Sequence, residues 1–313
     1  MVVLWSFFVG AAKAILGLLS VSAVLLAVYG FYLSVKIGGK SGKGKRFSGL
    51  LVGHRGCMHI PEGDEVIPEN TMPSFTFAAD HGAQGIELDC MLTKDEEIIV
   101  FHDFKLNRLL NVDGQVADLT LKEIQSIPFP NFRNETVFAP RLEDVLIFAK
   151  ERKLAVFVET KEIFPKKACI LAKKVVQLIE KHDMVNDVVV ISFGVPGVYF
   201  LRKFSPTIAT CLLFFPKVHK ELRKLKLVEE GWKMWGIFLI APIVSLLIKF
   251  SSFFIGVDMV GPNVKVVDNN FIKFWRGLGF NIYTWTVNDP DAVANLMKVG
   301  ISCGTNDVSL QAV

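Results

Sequence analysis

Regular alternation between short apolar runs and amphipathic stretches is the feature that most restricts how residues 47–313 can fold. Eight of the apolar runs have the length, the β-branched content and the turn-forming ends of strands. These runs are residues 49–54, 85–90, 98–102, 155–160, 187–193, 207–214, 254–260 and 281–287. The stretches predicted to be helical are residues 72–81, 141–152, 166–181, 197–204, 269–278 and 290–299. This order favours an α/β fold, a (β/α)₈ TIM barrel, over the doubly wound open sheet that would suit the same alternation.

The N-terminal segment is predicted to be a transmembrane helix. Residues 14–35 contain no charge, and a helix of that length reaches roughly 33 Å, enough to cross the hydrocarbon core of a bilayer. A secretory signal peptide would have a shorter apolar region, about 7 to 15 residues, and a buried soluble helix is the other alternative. The basic residues that follow are Lys36, Lys40, Lys43, Lys45 and Arg46. Such a cluster favours the cytoplasmic side and anionic lipid, so a single-pass anchor with a cytoplasmic barrel is predicted.

Two domains are therefore predicted, a membrane anchor with a basic linker at residues 1–46 and a barrel at residues 47–313. A second apolar stretch near residues 232–250 lies between the sixth and seventh predicted strands. Its uncharged part, residues 234–248, would reach about 22 Å as a helix, which is too short to span a bilayer comfortably. It suits an interfacial or re-entrant helix at the catalytic face, and a buried outer helix of the barrel is the alternative.

The overall composition makes several classes of protein improbable. The net charge is only +4, and no basic stripe interleaved with aromatic residues indicates binding to nucleic acid. The five cysteines are scattered and lack the paired spacing of metal or redox motifs. A disulfide framework is therefore not predicted, and a cytosolic setting is favoured. The sequence does not identify a protein partner.

Acidic residues are paired at the ends of two predicted strands. Side chains two apart on a strand point to the same face, so Glu87 and Asp89 project together, as do Glu159 and Lys161. The residues that flank the first pair are apolar, which favours placing its two acids inside the barrel; an ordinary solvated strand end is the alternative. Carboxylate oxygens are the ligands that Mg²⁺ and Ca²⁺ require, and no cluster of cysteine and histidine favours zinc.

Two histidines, His54 and His102, each follow an apolar run at the predicted catalytic rim. A histidine titrates near neutrality, so two of them can divide proton removal and proton supply between a nucleophile and a leaving group. Arg55, beside His54, offers a fixed positive fork for an anionic phosphoryl oxygen. A salt bridge that braces the rim, with Glu69 as its partner, is the equal alternative for Arg55.

Several short motifs follow one another in a fixed order along the chain. They are His-Arg-Gly at His54, Pro-Glu-Asn-Thr at Pro68, Ile-Glu-Leu-Asp at Ile86, Thr-Lys-Asp at Thr93, His-Asp at His102, Pro-Arg-Leu-Glu at Pro140, Glu-Thr-Lys at Glu159 and Trp-Thr-Val-Asn at Trp285. This series, which spans roughly residues 50–310, resembles the glycerophosphodiester phosphodiesterase family. Several separate motifs in the same order make a chance match improbable.

The resemblance implies a (β/α)₈ barrel with a divalent metal, Mg²⁺ or Ca²⁺, held by Glu87, Asp89 and Glu159. It implies an acid/base pair formed by His54 and His102. The implied reaction is metal-dependent hydrolysis of a glycerophosphodiester to glycerol phosphate and an alcohol. The attacking group would be water or the glycerol hydroxyl of the substrate, and the sequence leaves both open.

Substrate binding is expected from Arg55, Glu69, Lys161 and Trp285. Lys161 would add positive charge at the phosphate, and Trp285 would offer an apolar wall to the glycerol or pack in the core. The expected partners are the substrate and membrane lipid. A lysophospholipase D that releases the head group of a lysophospholipid is the alternative function. A sphingomyelinase D-like enzyme and a non-catalytic barrel that binds head groups are further alternatives.

Two stretches depart from the family pattern. Residues 59–65 lengthen the loop between the first two motifs and are expected to reshape one rim of the pocket. The end of the chain reads Gly-Ile-Ser-Cys-Gly-Thr-Asn-Asp from Gly300, without the proline that usually follows the aspartate. Asp307 is therefore left out of the predicted catalytic set.

Overall fold

The computed structural model describes residues 42–58, 66–130, 132–133, 135–214 and 255–309. The proposed anchor at 14–35, most of the basic linker, the loop 59–65 and the apolar stretch near 232–250 lie outside these described residues. Within the described ranges, no helix is both long and apolar enough to cross a membrane.

A closed barrel forms the centre of the described structure. The strands are β1 (Leu51–Gly53), β2 (Gly85–Leu92), β3 (Ile98–Val100), β4 (Ala155–Thr160), β5 (Val188–Ser192), β6 (Ala209–Phe214), β7 (Met259–Pro262), β8 (Asn281–Thr284) and β9 (Ser302–Thr305). All of them except β3 pair in parallel, and β1 pairs with both β2 and β9, which closes the ring. The prediction of an eight-stranded parallel barrel is confirmed. An open doubly wound sheet is excluded because its two edges would remain unpaired.

Helices surround the barrel, and all of them except α2 and α3 lie where the periodicity predicts a helix. They are α1 (Met72–Asp80), α2 (Asn107–Leu110), α3 (Leu121–Ile124), α4 (Leu142–Arg152), α5 (Pro165–Lys181), α6 (Val195–Phe204), α7 (Asn269–Gly277) and α8 (Pro290–Lys298). The six predicted helices are present, with ends that differ by at most two residues. Local start signals explain this agreement: Thr71 caps α1, and Asp289 caps α8 ahead of Pro290.

The prediction that residues 98–102 form a barrel strand is wrong. This stretch contains β3, which pairs antiparallel with β2 as the second arm of a hairpin. Only residues 93–97 join the two strands, whereas a parallel crossover needs a dozen residues or more. The Thr93 hydroxyl holds the turn by accepting a hydrogen bond from the Glu97 N–H at 3.0 Å.

The eighth strand of the barrel is β9, which the sequence pattern did not predict. Its residues, Ser302–Thr305, include few of the large β-branched side chains that mark a strand. Packing selects a small residue here, because a Cβ on Gly304 would lie 2.4 Å from the Tyr283 hydroxyl oxygen. The strand is recognised only through its parallel pairing with β8 and β1.

Apolar side chains fill the interior of the barrel below its carboxyl end. Phe47, the last residue of a 3₁₀ helix at Lys43–Phe47, packs edge-on against Phe157 with a ring separation of 5.8 Å. Phe157 in turn lies 4.6 Å from the ring of Tyr283. Because Phe47 precedes β1, it closes the amino-terminal end of the barrel. The opposite end remains for polar side chains, as expected for a parallel barrel.

Glu143 of the Pro-Arg-Leu-Glu motif links α4 to the end of α5. Its Oε1 accepts hydrogen bonds from Lys181 at 2.6 Å and from His182 at 2.9 Å. These two bonds lower the pKa of Glu143 to about 2 from its usual value of 4.5. The motif therefore has a structural role in this protein.

A pH dependence of stability follows from this depressed pKa. A carboxylate with a lowered folded-state pKa stabilises the fold above the unfolded pKa, and this contribution is lost as the pH falls toward the folded pKa. We expect the free energy of unfolding to decline less steeply between about pH 5 and pH 2 in Glu143→Gln than in the unmodified protein. Urea unfolding at a series of pH values measures this. Glu180→Gln, an exposed position on α5, is the control, and equal slopes in both variants would contradict the assignment.

Candidate active site

Three carboxylates meet at the carboxyl end of the barrel on neighbouring strands. Glu87 and Asp89 lie on β2 and Glu159 lies on β4, and the parallel register pairs Asp89 with Glu159. One oxygen from each carboxylate lies within 4.8 Å of the other two, and all three side chains are buried. The structure therefore brings together the three residues that the sequence predicts as metal ligands.

Lys161 compensates part of this negative charge. Its Nζ lies 2.9 Å from Asp89 Oδ1 and 2.8 Å from Glu159 Oε1. Burial alone would lower the pKa of Lys161, but the two carboxylates outweigh it and raise the pKa above its usual value. Burial would likewise raise the pKa of Asp89, but Lys161 and Arg55 hold it below its usual range. Lys161 is therefore a permanent cation facing the centre of the site.

Arg55 contacts the acidic cluster through both its backbone and its side chain. Its N–H donates to Glu87 Oε2 at 2.8 Å, and its Nη1 donates to Glu69 Oε1 at 2.8 Å. Its Nε lies 3.4 Å from Asp89 Oδ2 and, among the described residues, has no hydrogen-bond acceptor although it is buried. The predicted salt bridge with Glu69 is confirmed. A role of Arg55 toward a phosphoryl oxygen stays a prediction.

The donor set fits a divalent cation. Burial, followed by the charges of Asp89 and Glu159, raises the pKa of Glu87 well above its usual value. Burial also raises the pKa of Glu159. A cation among these oxygens would offset the repulsion between the carboxylates, which adds to the effect of burial. Because all the donors are oxygens, the set suits Mg²⁺ or Ca²⁺ better than a softer metal.

His54 is held as a neutral imidazole at the edge of this cluster. Its Nδ1 lies 2.7 Å from Asn306 Oδ1, and a carbonyl oxygen can only accept, so Nδ1 carries the proton. The other ring nitrogen, Nε2, lies 3.9 Å from Glu87 Oε2. Burial, with Arg55 as the second cause, lowers the pKa of His54 to about 4. The unprotonated Nε2 is thus suited to accept a proton.

His102 has a different partner, a carboxylate. Its Nδ1 donates to Asp103 Oδ1 at 2.5 Å, which fixes the plane of the ring. Although β3 runs antiparallel, the hairpin returns the chain to the site, because the Phe101 N–H donates to the Asp89 carbonyl at 2.9 Å. His102 is therefore beside the acidic cluster for a reason other than the predicted parallel strand.

Arg108 links the partner of His102, which is Asp103, to the partner of Arg55, which is Glu69. It donates to both oxygens of Asp103, through Nε at 2.6 Å and Nη2 at 2.9 Å. It also donates to both oxygens of Glu69, through Nη1 at 2.9 Å and Nη2 at 2.7 Å. Burial would raise the pKa of Glu69, but Arg108 and Arg55 outweigh it and keep this pKa low. Glu69 is thus an anion held between two guanidinium groups.

Asn70 positions Asp89 through a reciprocal pair of hydrogen bonds. Its Nδ2 donates to Asp89 Oδ2 at 2.9 Å, and its Oδ1 accepts from the Asp89 N–H at 3.1 Å. The backbone of Asn70 has a φ of +59°, a left-handed conformation that asparagine tolerates better than most residues. Thr71, the next residue, caps α1. The Pro-Glu-Asn-Thr motif therefore orients a predicted ligand and starts a helix.

Trp285 lies at the rim on the far side of the barrel. Its indole Nε1 donates to the Gly261 carbonyl at 3.0 Å, and its ring packs edge-on against Phe193 at 5.3 Å. The side chain is half-buried. One face is thus fixed by the protein, and the prediction that Trp285 forms an apolar wall for substrate remains a prediction.

Four residues that hold the site, Asn70, Asp103, Arg108 and Asn306, are not among the predicted site residues. Asp103 adjoins His102 and could have been proposed as its partner. Asn306 is separated from His54 by 252 positions, so no local pattern connects them. Asp307, the shifted aspartate, is buried, and its Oδ1 accepts hydrogen bonds from the N–H and hydroxyl of Ser309.

Comparisons with known proteins agree with this geometry. Residues 54–309 match the model of the glycerophosphoryl diester phosphodiesterase family. A glycerophosphodiester phosphodiesterase of Caldanaerobacter subterraneus subsp. tengcongensis is 30% identical over 260 residues, which cover 80% of this chain and 91% of the relative. Human glycerophosphodiester phosphodiesterase 1 is 28% identical over 255 residues, which cover 77% of this chain and 72% of the relative.

The fold also resembles solved structures. A phosphodiesterase of Oleispira antarctica, solved in complex with the product sn-glycerol-3-phosphate, has a TM-score of 0.65 at 17% identity. The match covers 85% of this chain and 96% of that protein. At this level of identity the likeness concerns the barrel.

Proposed function

Because this chain belongs to the glycerophosphoryl diester phosphodiesterase family, we propose that it hydrolyses glycerophosphodiesters to glycerol phosphate and an alcohol. The observation that carries the proposal is the placement of two differently held histidines beside one acidic cluster. His54 is bound by a neutral amide oxygen and His102 by a carboxylate. Burial and Arg55 keep His54 a neutral base, and Asp103 orients the His102 ring for the role of acid.

The proposed mechanism divides proton transfer between the two histidines. His54 Nε2 accepts the proton of the attacking hydroxyl group. His102, oriented by Asp103, delivers a proton to the oxygen of the departing alcohol. Arg55 and Lys161 supply fixed positive charge where the phosphodiester oxygens gain negative charge. The nucleophile thus loses its proton to His54 and the leaving oxygen gains one from His102, so neither a free hydroxide nor an alkoxide forms. Proton exchange with water then returns His54 to its neutral form and His102 to its protonated form.

Glu87, Asp89 and Glu159 are the residues that would hold a divalent cation in this mechanism. Such a cation, Mg²⁺ or Ca²⁺, would neutralise the phosphodiester when bound. Lys161 contacts two of the three carboxylates, so it limits the net negative charge of the cluster. Asn70 and the Arg55 N–H hold Asp89 and Glu87 in orientation.

The test is ³¹P NMR of the products from glycerophosphocholine, supplied with Mg²⁺ or Ca²⁺. Glycerol phosphate that forms with the unmodified protein but not with His102→Ala supports the proposal. A transient cyclic phosphate would identify the glycerol hydroxyl as the nucleophile. Failure to form glycerol phosphate from any glycerophosphodiester with either ion would contradict the proposed activity.

We further propose that the enzyme acts at a membrane and that lysophospholipids are a second class of substrate. The uncharged residues 14–35 and the basic residues that follow support a single-pass anchor with a cytoplasmic barrel. The apolar residues 234–248 lie between β6 and β7 in the sequence, and we propose that they contribute to the membrane-facing surface. Protease digestion of sealed vesicles tests the orientation, and a barrel protected inside the lumen would overturn it.

Arg108 is expected to influence turnover through Asp103 and His102. An Arg108→Met change removes two donors to Asp103 and should lower kcat roughly 10- to 100-fold, with a smaller effect on KM, because the His102 ring is less firmly held. Steady-state kinetics on glycerophosphocholine measure the two constants. Arg141→Met is the matched control, since Arg141 is similarly exposed and pairs with Glu143 away from the site. An equal change in both variants would contradict a positioning role.

A further inference from the structure

An exposed apolar pair lies in the loop that leaves the catalytic end of β4. Ile163 and Phe164 are 42% and 69% exposed, and they follow Lys161 by two and three positions. Phe164 immediately precedes α5, whose first turn contains the exposed residues Lys166 and Lys167. No acidic residue occurs between Ile163 and Lys167. At the edge of the site, two exposed apolar side chains are thus followed, one residue later, by two lysines.

A second loop at the site repeats this pattern. Phe104 is 48% exposed and directly follows the His102–Asp103 pair. Lys105, the next residue, is also exposed. The carboxylate of Asp103 is engaged by His102 and Arg108, so it does not offset the charge of Lys105. Two separate loops therefore place an exposed aromatic ring and exposed lysines within a few residues of groups that face the substrate.

Single exposed apolar side chains are ordinary on a protein surface and need no explanation. These two loops differ because their exposed apolar residues are close in the sequence to lysines and to residues of the proposed site. A side chain that inserts among acyl chains, beside ammonium groups that contact lipid phosphates, is the usual composition of an interfacial binding site. A surface that binds a protein partner is instead depleted of lysine relative to the rest of the protein surface.

We propose that Phe104, Ile163 and Phe164, here named the apolar rim, insert into an anionic lipid surface while Lys105, Lys166 and Lys167 contact its phosphates. The proposal rests on the proposed function, because it concerns how a lipid substrate reaches the same site. Docking by the rim would bring the mouth of the barrel to the level of the head groups. A lysophospholipid could then present its phosphodiester to the site while its acyl chain stays among lipids.

The apolar rim is distinct from the proposed N-terminal anchor. The described chain begins beside Lys43–Phe47, which closes the amino-terminal end of the barrel. The loop that contains Ile163 and Phe164 leaves the carboxyl end of β4. Membrane attachment by the anchor alone would therefore not bury these side chains. Immersion of the rim is a separate and measurable event.

Activity on two forms of substrate tests the proposal in the full-length protein. The test variant combines Phe104→Ser, Ile163→Ser and Phe164→Ser. Lysophosphatidylcholine in vesicles of phosphatidylcholine and phosphatidylserine should be cleaved about tenfold more slowly or worse, because three membrane-inserting side chains are lost. Glycerophosphocholine, which is water-soluble, should be cleaved at the unmodified rate. The control variant combines Ile147→Ser on α4, Phe274→Ser on α7 and Val299→Ser just after α8. These side chains are 40%, 54% and 46% exposed, and their loss should change neither rate.

The outcomes separate the docking surface from the proposed activity. An unchanged rate on vesicle-held lysophosphatidylcholine in the test variant overturns the docking proposal. An equal loss on both substrates also overturns it, because the site itself would then be damaged. Absence of hydrolysis of both substrates by the unmodified protein contradicts the proposed function. A measurement of membrane insertion that needs no catalysis then tests whether the rim docks.

A binding measurement that needs no catalysis completes the test. A spin label is attached at Phe164→Cys or, as the control, at Phe274→Cys, after Cys169, the partly exposed cysteine among the described residues, is changed to serine. The full-length protein is reconstituted into the same vesicles. We expect the label at 164 to be accessible to oxygen and protected from a water-soluble nickel complex, with the reverse at 274. Equal exposure of both labels to the nickel complex would overturn the proposal.

Discussion

A Glu87→Gln variant is expected to lose about 10²- to 10⁴-fold in the rate of glycerophosphocholine hydrolysis, since a bound cation contributes several kcal/mol to a phosphoryl-transfer transition state. Glutamine keeps the size of the side chain and an oxygen that can accept the Arg55 N–H. It removes one of the three negative charges that meet within 4.8 Å. The rate loss should therefore reflect weaker cation binding and not a damaged fold.

The same variant should be more stable than the unmodified protein when no divalent cation is added. Burial and the neighbouring carboxylates raise the pKa of Glu87, so its ionised form opposes folding near neutral pH. Glutamine removes this cost. Thermal unfolding in a chelating buffer and then with Mg²⁺ or Ca²⁺ measures both effects: a higher melting temperature without the ion, and a smaller rise when the ion is added.

Glu162→Gln is the matched control for this prediction. Glu162 is also a buried glutamate at the end of β4, and burial raises its pKa as well. It lies outside the group of three carboxylates that could share a cation. We expect its ion-induced stabilisation and its turnover to match those of the unmodified protein. A full response to the cation in Glu87→Gln would show that Glu87 is not a ligand.

Removal of either histidine that we propose to be catalytic is the second change from which we expect a large effect. His54→Ala and His102→Ala should each lower kcat on glycerophosphocholine by about 10²- to 10⁴-fold, the usual contribution of general acid–base catalysis. The two variants should respond differently to the leaving group. A diester of glycerol phosphate with p-nitrophenol releases an alcohol that needs no proton from the enzyme.

His102→Ala should therefore recover most of its rate on the p-nitrophenyl ester, whereas His54→Ala should not. The reason is the difference in partners, since His102 is paired with the Asp103 carboxylate and His54 with the Asn306 amide. His182→Ala is the control, because His182 binds Glu143 on the outside of the barrel. Equal recovery in both histidine variants would refute the division of roles, and recovery in His54→Ala alone would reverse it.

The sequence was sufficient to predict most elements of the barrel because their signals are local. The periodicity of α5 and the capping residues of α1 and α8 depend on neighbours a few positions away. The error at β3 also had a local correction, since residues 93–97 are too few for a parallel crossover. No local feature could have predicted β9, because the small residue in this strand is explained by Tyr283, which lies on another strand.

The difference between local signals and long-range contacts also explains which parts of the site could be predicted. Alternation along a strand predicts that Glu87 and Asp89 share a face, and the sequence by itself identified these residues of the acidic cluster together with Glu159 and Lys161. The hydrogen-bond partner of each histidine, Asn306 for His54 and Asp103 for His102, does not follow from this alternation.

What the sequence by itself determined about this protein is thus the order of its strands and helices and the residues that form its acidic cluster. Only the tertiary structure decided which strands close the barrel, that Arg108 links Asp103 to Glu69, and that each histidine has a different partner. The physical reason is that periodicity and capping act over a few residues along the chain. Ring closure and hydrogen bonding depend on distances between residues that are far apart along the chain, such as His54 and Asn306, 252 positions apart. Those distances are set only when the chain folds.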